Sequence, residues 1–214
     1  MKKEAALSAD LDGVVIGGPT PYLKTLGKRV VLGRRIFEPP KNIDFHTGTE
    51  SASPINVPLN PYEWVLLKVL ARRRVTPQAR KLLEEVYGSG IDIFGVTGRP
   101  NTQRWIKETL RTLEDGEVMP FFQDVLFRPK HVNAETGKLI HVQRLVDGYK
   151  QVAVIEDNPV EGLMIARAFP QTSVFIVQSL TGGMLFSRKE SQDYPNVRRI
   201  ASLRRLSVQE LVRS

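Results

Sequence analysis

Cysteine is absent from the 214 residues of this chain, which excludes disulfides, thiolate zinc ligands and cysteine nucleophiles. Apolar runs long enough to span a membrane are absent too, because the most hydrophobic helix candidate, residues 64–71, is interrupted by Lys68. Residues 1–7 hold no sustained apolar segment, so we expect no secretory signal. These absences favour a cytoplasmic enzyme or binding protein that buries one substantial core.

Aromatic residues make up only 7% of the chain, whereas Lys and Arg outnumber Asp and Glu by 31 to 23, giving a net charge of +8. The basic surplus lies in short clusters at residues 28–29, 34–35, 72–74, 198–199 and 204–205. Such charge attracts phosphorylated ligands or nucleic acid. No aromatic platform for single strands accompanies the clusters, so solvated basic faces are the simpler interpretation.

Two carboxylates follow the first apolar run, at Asp10 and Asp12, and Gly13 comes directly after them. Side chains alternate in a strand, so these two point to the same side, with Cα atoms roughly 6 to 7 Å apart. Two anions this close at the end of a buried strand need a cation or a shared proton. The position of Gly13 does not fit a calcium loop of the EF-hand type. The pair predicts a metal or proton-transfer site, with a solvated turn as the alternative.

From residue 75 onward, helix and strand patterns alternate. One helix is predicted to start at Thr76-Pro77, and a second carries an apolar stripe from Trp105 to Leu113. Two more helices are predicted at residues 139–146 and 160–169. Strands are predicted at residues 91–96, 125–127, 152–155 and 174–177, and Ser207 has capping-box spacing to Glu210. Strands that alternate with helices predict a mostly parallel sheet covered on both faces, a three-layer α/β/α fold.

Residues 17–59 differ from this pattern, because they are rich in proline and glycine and hold only short apolar runs. The segment is too long for an ordinary loop in a compact domain, so we interpret it as an inserted lid or small cap. A helix from Asn60 to about Arg73 is expected to lead back to the core. The predicted division is therefore a core of residues 1–16 and 75–214, with residues 17–74 as the insertion.

Polar residues mark the ends of three predicted strands: Asp10 and Asp12, then Thr97-Gly98-Arg99, then Glu156-Asp157. In open parallel sheets, ligands bind outside the carboxyl ends of the strands. The three motifs, in this order, resemble those of the haloacid dehalogenase-like hydrolase superfamily, whose members are mostly magnesium-dependent phosphatases. A lone lysine before the last strand completes the pattern; Lys138 has suitable spacing and Lys130 is a weaker candidate.

The resemblance implies a role for each of these residues. Asp10 would be the nucleophile that forms an aspartyl-phosphate, and Asp12 the general acid and base, with its pKa raised by Asp10. Thr97 would hold the phosphate oxygens, and Lys138 would offset the negative charge that accumulates in the site. Substrate-binding residues would be Thr97, Gly98 and Arg99, and the residues around Mg²⁺ would be Asp10, Leu11 (through its carbonyl), Asp12, Glu156 and Asp157.

Some assignments stay open at this point. Glu156 departs from the commonest pattern of the family, and Glu161, four residues after Asp157, competes with it for a role. His46, His131 and His141 have no metal-ligand spacing and are expected to be structural or surface residues.

The resemblance leaves the substrate open as well. A phosphorylated small molecule or nucleotide is expected. The stretch Thr97-Gly98-Arg99-Pro100, followed by Arg128, also resembles polynucleotide 3′-phosphatase-like members, so nucleic acid is an alternative substrate. A phosphotransferase is a further alternative, since an aspartyl-phosphate can pass its phosphoryl group to an alcohol. A non-catalytic phospholigand-binding protein is the last one, although both Asp10 and Asp12 are present.

Overall fold

The computed structural model describes residues 2–17, 73–129, 131–177 and 194–212. The predicted lid beyond residue 17 and most of the helix predicted to follow it lie outside the described residues. So do Lys130, His46, Arg72 and the basic clusters at residues 28–29 and 34–35.

The described residues form a six-stranded parallel sheet with helices between the strands, which confirms the predicted α/β class. In chain order the strands and helices are β1 (Lys3–Asp10), α1 (Pro77–Gly88), β2 (Asp92–Pro100), α2 (Gln103–Asp115), β3 (Phe122–Arg128), α3 (Ala134–Gly148), β4 (Tyr149–Glu156), α4 (Pro159–Ala168), β5 (Ser173–Val177), β6 (Val197–Ile200) and α5 (Val208–Leu211). Short 3₁₀ helices cover Met119–Phe121 and Leu203–Arg205.

The strand order is β3-β2-β1-β4-β5-β6, so β1 lies between β2 and β4. In the parallel register Asp10 pairs with Val96 of β2, and Ala9 pairs with Ile155 of β4. Because parallel strands all end at the same edge, the carboxyl ends of β1, β2 and β4 are neighbours there. This edge carries the polar residues that the sequence singled out.

The sheet separates two hydrophobic clusters, as a three-layer fold requires. One contains Leu82 of α1 and Leu113 of α2, and the other contains Leu139 of α3 and Met164 of α4. Strands buried on both faces need nearly continuous apolar sequence, which explains runs such as residues 152–155 in β4.

Helix α1 shows how local sequence sets these layers. Thr76 caps it, its side chain accepting a hydrogen bond from the amide of Ala79 at 3.2 Å, and Pro77 occupies the first turn. The predicted apolar stripe of this helix is buried in full: Ala79, Leu82, Leu83 and Val86.

Several predicted boundaries differ from the structure, and one strand was not predicted. Helix α3 begins at Ala134 rather than residue 139, because Asn133 caps it by accepting a hydrogen bond from the amide of Thr136 at 2.7 Å. Strand β2 continues to Pro100, with a register shift between Thr97 and Pro100. Strand β6 was not predicted, since its four residues Val197–Ile200 hold two arginines.

Among the described residues, no helix combines the length and the apolar composition that a membrane crossing requires.

Candidate active site

The carboxyl ends of the three central strands bring Asp10, Thr97 and Glu156 to one edge of the sheet. Asp10 and Glu156 are the last residues of β1 and β4, and Thr97 lies near the end of β2. All three are buried, as is Asp157, which follows β4. Burial of this many polar groups costs free energy unless partners satisfy them, so their partners define the site.

Lys138 of α3 is the cationic centre of this group. Its Nζ lies 2.7 Å from Asp10 Oδ1, 2.7 Å from Glu156 Oε2 and 2.6 Å from Glu161 Oε2. Burial alone would lower the pKa of Lys138, but these three carboxylates raise it well above its ordinary value. The lysine is therefore a permanent positive charge against Asp10.

The negative charge of Asp10 is unfavourable at this edge of the sheet. Burial and the neighbouring charge of Glu156 raise its pKa well above the ordinary range, although Lys138 acts in the opposite direction. Asp157 and Asp12 add to the upward shift. A second cation beside Asp10 would relieve this repulsion and keep the carboxylate ionised.

The residues present fit a hard divalent cation. Among the described residues, Asp10, Glu156 and Asp157 each offer a carboxylate oxygen, and these oxygens all lie within 4.8 Å of one another. Oxygen ligands of this kind suit Mg²⁺. Gly13, at φ 111°, makes room for the cluster, because a Cβ on it would lie 1.8 Å from Asp157 Oδ2.

The charge balance of the site agrees with this fit. Five carboxylates (Asp10, Asp12, Glu156, Asp157 and Glu161) face three cationic side chains (Lys138, Arg99 and Arg73). In the fully ionised state, which a bound cation would favour against the raised pKa values of Asp10 and Glu156, two negative charges are left, and one divalent cation would neutralise them.

Glu156 and Glu161 both contact Lys138 but differ in their hydrogen-bond partners. Glu156 Oε2 contacts Lys138, while its Oε1 accepts hydrogen bonds from the amides of Asp157 and Asn158, both at 3.1 Å. Burial raises the pKa of Glu156 to about 8, against the influence of Lys138. Glu161 accepts a hydrogen bond from Asn158 Nδ2 at 2.8 Å and contacts Lys138. Glu156 thus shapes the turn before α4, and Glu161 holds the lysine.

Asp12 is paired with donors rather than with Asp10. Arg99 donates to both of its oxygens, from Nε to Oδ2 at 2.9 Å and from Nη2 to Oδ1 at 2.5 Å, and the Thr97 hydroxyl donates at 3.2 Å. Burial alone would raise the pKa of Asp12, but Arg99 and Arg73 hold it below its ordinary value. The expectation of a raised pKa for Asp12 is not met here, because the two guanidinium groups outweigh the effect of burial.

Arg99 is itself fixed in place by α2. Its Nη1 donates to Thr109 Oγ1 at 2.8 Å, and its guanidinium carbon lies 5.9 Å from the centre of the Trp105 ring. Its backbone amide donates to Thr97 Oγ1 at 3.1 Å. The guanidinium is thus positioned before any ligand arrives.

Leu11 and Gly98, the other predicted site residues, and two of the histidines have the following contacts. The Leu11 carbonyl accepts a hydrogen bond from the amide of Ile16 at 2.8 Å, and the Gly98 carbonyl accepts one from Arg128 Nε at 3.0 Å. His131 is exposed, and His141 is buried with its Nε2 2.9 Å from the carbonyl of Phe127.

Arg73 was missed at the sequence level. Its Nη1 lies 3.5 Å from Asp12 Oδ1, and its side chain is only 7% exposed. The one signal in the sequence was the basic run at residues 72–74, which equally fits a solvated face.

No protein-family model matches this chain, and no curated protein matches it either. Solved structures do match. An L-2-haloacid dehalogenase matches at 14% identity over 99% of this chain and 100% of its own, with a TM-score of 0.58. CbbY from Rhodobacter sphaeroides, in complex with phosphate, matches at 14% identity over 97% of both chains, with a TM-score of 0.53. YfnB from Bacillus subtilis, described as a HAD-hydrolase bound to magnesium, matches at 12% identity over all of both chains, with a TM-score of 0.56.

These similarities confirm the expected fold: the chain has the Rossmann-like architecture of haloacid dehalogenase-like hydrolases. At such identities they concern the fold alone. The likeness to polynucleotide 3′-phosphatases and the cap after the first strand stay predictions.

Proposed function

We propose that this protein is a magnesium-dependent phosphomonoester hydrolase that works through an aspartyl-phosphate on Asp10. The observation that carries the proposal is the contact between buried Lys138 and Asp10 at the end of β1, beside the carboxylates of Glu156 and Asp157. A phosphomonoester is an anion that resists attack, so its hydrolysis needs a fixed nucleophile surrounded by compensating positive charge. Asp10 would be that nucleophile, with Lys138 and a bound cation as the compensating positive charge.

The residues divide the reaction as follows. Asp10 attacks phosphorus while the bond to the leaving oxygen breaks, and Asp12 gives its proton to that oxygen. Water then attacks the phosphoryl group, Asp12 takes the proton, and inorganic phosphate leaves Asp10 free. Thr97 binds phosphate oxygens, and Lys138 favours the ionised form of Asp10, together with the bound cation, and offsets the negative charge of the phosphoryl group.

Asp10 and Asp157 would hold Mg²⁺, with Glu156 as the neighbouring carboxylate and backbone oxygens in the turn after β1 as further ligands. The ion supplies positive charge against the phosphoryl oxygens. Support comes from the oxygen cluster, from the charge balance and from a structural neighbour described as bound to magnesium.

Asp12 must change partners during this cycle. Paired with Arg99 and Thr97, its carboxylate is ionised and suited to take a proton from water. A phosphate dianion that binds Thr97 and Arg99 would compete with Asp12 for these donors. Asp12 would then be less strongly held as an anion and able to carry the proton that the leaving group needs.

A phosphorylated small molecule is the substrate class that we favour. The neighbour CbbY is described in complex with phosphate and, as a mutant, with xylulose-1,5-bisphosphate. A nucleotide or a 3′-phosphorylated nucleic-acid end is the second candidate, because Arg99 of the Thr97-Gly98-Arg99 motif reaches the site and the chain carries a charge of +8. Hydrolysis of 3′-phosphorylated oligonucleotides no faster than simple phosphomonoesters would exclude the second candidate.

Phosphate release from a panel of phosphomonoesters, with Mg²⁺ and with EDTA, tests the proposal. We expect turnover with Mg²⁺ only, and a loss of about 1,000-fold or more in Asp10→Asn, because the amide is a poor nucleophile. Asp115→Asn, an exposed aspartate at the end of α2, is the matched control and should keep full activity. Activity that survives in Asp10→Asn would refute the assignment of the nucleophile. Parallel assays with an added alcohol acceptor separate hydrolysis from phosphotransfer.

A further inference from the structure

Arg73 places a second guanidinium next to Asp12, and this charge is not used by the proposed reaction. Its side chain is 93% buried, and its Nη1 and Nη2 have no hydrogen-bond partner among the described residues. A buried guanidinium without hydrogen bonds loses its hydration and gains little in return. In a functional site, such a guanidinium is expected to form its hydrogen bonds with an acceptor group of the bound ligand.

Asp12 is not the acceptor for Arg73 in this structure, because its hydrogen bonds within the described residues come from Arg99 and Thr97. Both of its oxygens accept hydrogen bonds from Arg99, and Oδ2 accepts another from Thr97. Arg73 approaches Asp12 Oδ1 only to 3.5 Å, which is an ion pair without a hydrogen bond. The five donors of its guanidinium are suited to planar or tetrahedral anions such as carboxylate and phosphate.

The position of Arg73 indicates where such an anion would lie. The carboxylate of Asp12 delivers its proton to the leaving oxygen, so it lies on the leaving-group side of the reacting phosphoryl group. Arg73 is next to that carboxylate, whereas Lys138 contacts Asp10 on the nucleophile side. Under the proposed reaction, Arg73 would therefore face the leaving group of the substrate.

We infer that Arg73 binds a second anionic group, a phosphate or a carboxylate, on the leaving group of the substrate. The inference rests on the proposed phosphomonoester hydrolysis and narrows its substrate class to compounds with another anion near the scissile phosphate. Arg99 and Thr97 bind the transferred phosphoryl group, and Arg73 selects for the second charge.

Two matched substrate pairs test this inference. The first is 3-phosphoglycerate against glycerol 3-phosphate, which differ by a carboxylate. The second is adenosine 3′,5′-bisphosphate against adenosine 3′-monophosphate, which differ by a phosphate. We expect kcat/KM to favour the more anionic member of at least one pair by about tenfold or more, mainly through KM, as a charge-assisted hydrogen bond would give.

The variant Arg73→Gln should lose this preference: its kcat/KM for the more anionic member should fall about tenfold further than its kcat/KM for the less anionic member, beyond any loss that both members share because Asp12 loses an ion-pair partner. Arg74→Gln is the matched control, since it removes the same charge from the neighbouring, exposed residue and should keep the preference. Equal losses on both members of each pair in Arg73→Gln would overturn the inference, because Arg73 would then act only through Asp12. So would an active wild-type enzyme that shows no preference in either pair.

Binding to catalytically silent protein separates this inference from the proposed function. Asp10→Asn, titrated calorimetrically with the same four compounds in Mg²⁺, should bind the more anionic member more tightly, and Arg73→Gln in that background should abolish the difference. If the wild type hydrolyses none of the panel but this Arg73-dependent preference is present, the proposed hydrolysis fails and the anion site stands. If hydrolysis proceeds and binding shows no dependence on Arg73, the anion site fails and the hydrolase stands.

Discussion

Gly13 is the residue on which the geometry of the carboxylate cluster depends most directly. Its φ of 111° lies in a region that L side chains rarely adopt, and a Cβ there would meet Asp157 Oδ2 at 1.8 Å. The turn after β1 can therefore approach Asp157 only with glycine at this position. The sequence showed the glycine, and the structure shows why no other residue fits.

Substitution of Gly13 by alanine should displace Asp157 and lower the affinity for Mg²⁺ by about tenfold or more, because a cluster ligand moves. Gly90→Ala is the matched control, since Gly90 also has a positive φ of 78° but no atom within 4 Å of the added Cβ. That variant should cost about 1 kcal/mol of stability and leave Mg²⁺ binding unchanged. Calorimetric titration with Mg²⁺ distinguishes the two, and equal affinities would contradict the prediction.

His141 makes the stability of the fold depend on pH. It is 3% exposed, and burial lowers its pKa to about 4, against the hydrogen bond to the Phe127 carbonyl. The unfolded chain takes up a proton at the ordinary pKa of 6.5, but the folded chain does so only near 4. The stability that neutral His141 contributes is thus complete above pH 6.5 and is lost as the pH falls toward 4.

Between pH 7.5 and pH 5, the wild type should lose about 2 kcal/mol more of its unfolding free energy than His141→Gln does. Glutamine keeps a donor for the Phe127 carbonyl but does not titrate. Urea denaturation of both proteins at the two pH values measures the difference. Identical pH dependence of the two would show that His141 does not titrate as described.

At the scale of elements, the helix ends determine which residues can enter the site. The cap at Asn133 starts α3 at Ala134, five residues before the predicted boundary, which places Lys138 in the second turn of the helix and not ahead of it. Asn158 caps α4 in a similar way, by accepting a hydrogen bond from the amide of Val160 at 3.1 Å. Both caps lie at the sheet edge where the functional residues meet, so they orient Lys138 and Glu161 toward each other.

Two threonines test how far a cap stabilises this protein. Thr76 accepts a hydrogen bond at the start of α1, whereas Thr102 holds the same position before α2 but makes no cap hydrogen bond. Thr76→Ala should therefore reduce stability by about 1 kcal/mol. Thr102→Ala should have a much smaller effect, because its buried hydroxyl lacks a hydrogen-bond partner among the described residues. Chemical denaturation of the pair measures both effects, and equal losses would contradict the cap assignment.

At the scale of the whole molecule, the basic surface and the acidic site act in opposite directions. The chain carries a net charge of +8, yet the carboxylates of the site outnumber its cations. Under the proposed function, the positive field outside would draw in phosphorylated ligands, and the local negative excess would retain a divalent cation. A phosphoryl group would then bind where the ion and Lys138 together offset its charge.

Mg²⁺ should stabilise the folded protein in the absence of any substrate. At a concentration of 100 times Kd the expected gain is about 2.7 kcal/mol, or roughly 5 to 10 °C in Tm for a chain of this size. Asp157→Asn should lose most of this gain, and Asp115→Asn should keep it. Thermal denaturation with Mg²⁺, compared with Na⁺ at the same ionic strength, measures this gain in stability. A Tm that does not depend on Mg²⁺ would remove the metal from the proposed function.

The sequence alone determined the order of strands and helices and the approximate position of the polar strand ends. Alternating apolar patterns are local, and parallel strands end at one edge, so Asp10, Thr97 and Glu156 could be assigned to a common region without coordinates. Tertiary structure alone decided which charges pair. Arg73 and Arg99 reach Asp12, and Glu161 reaches Lys138, because packing brings together residues 61, 87 and 23 positions apart, respectively. No local pattern encodes such contacts, and the pKa of a buried group depends on them.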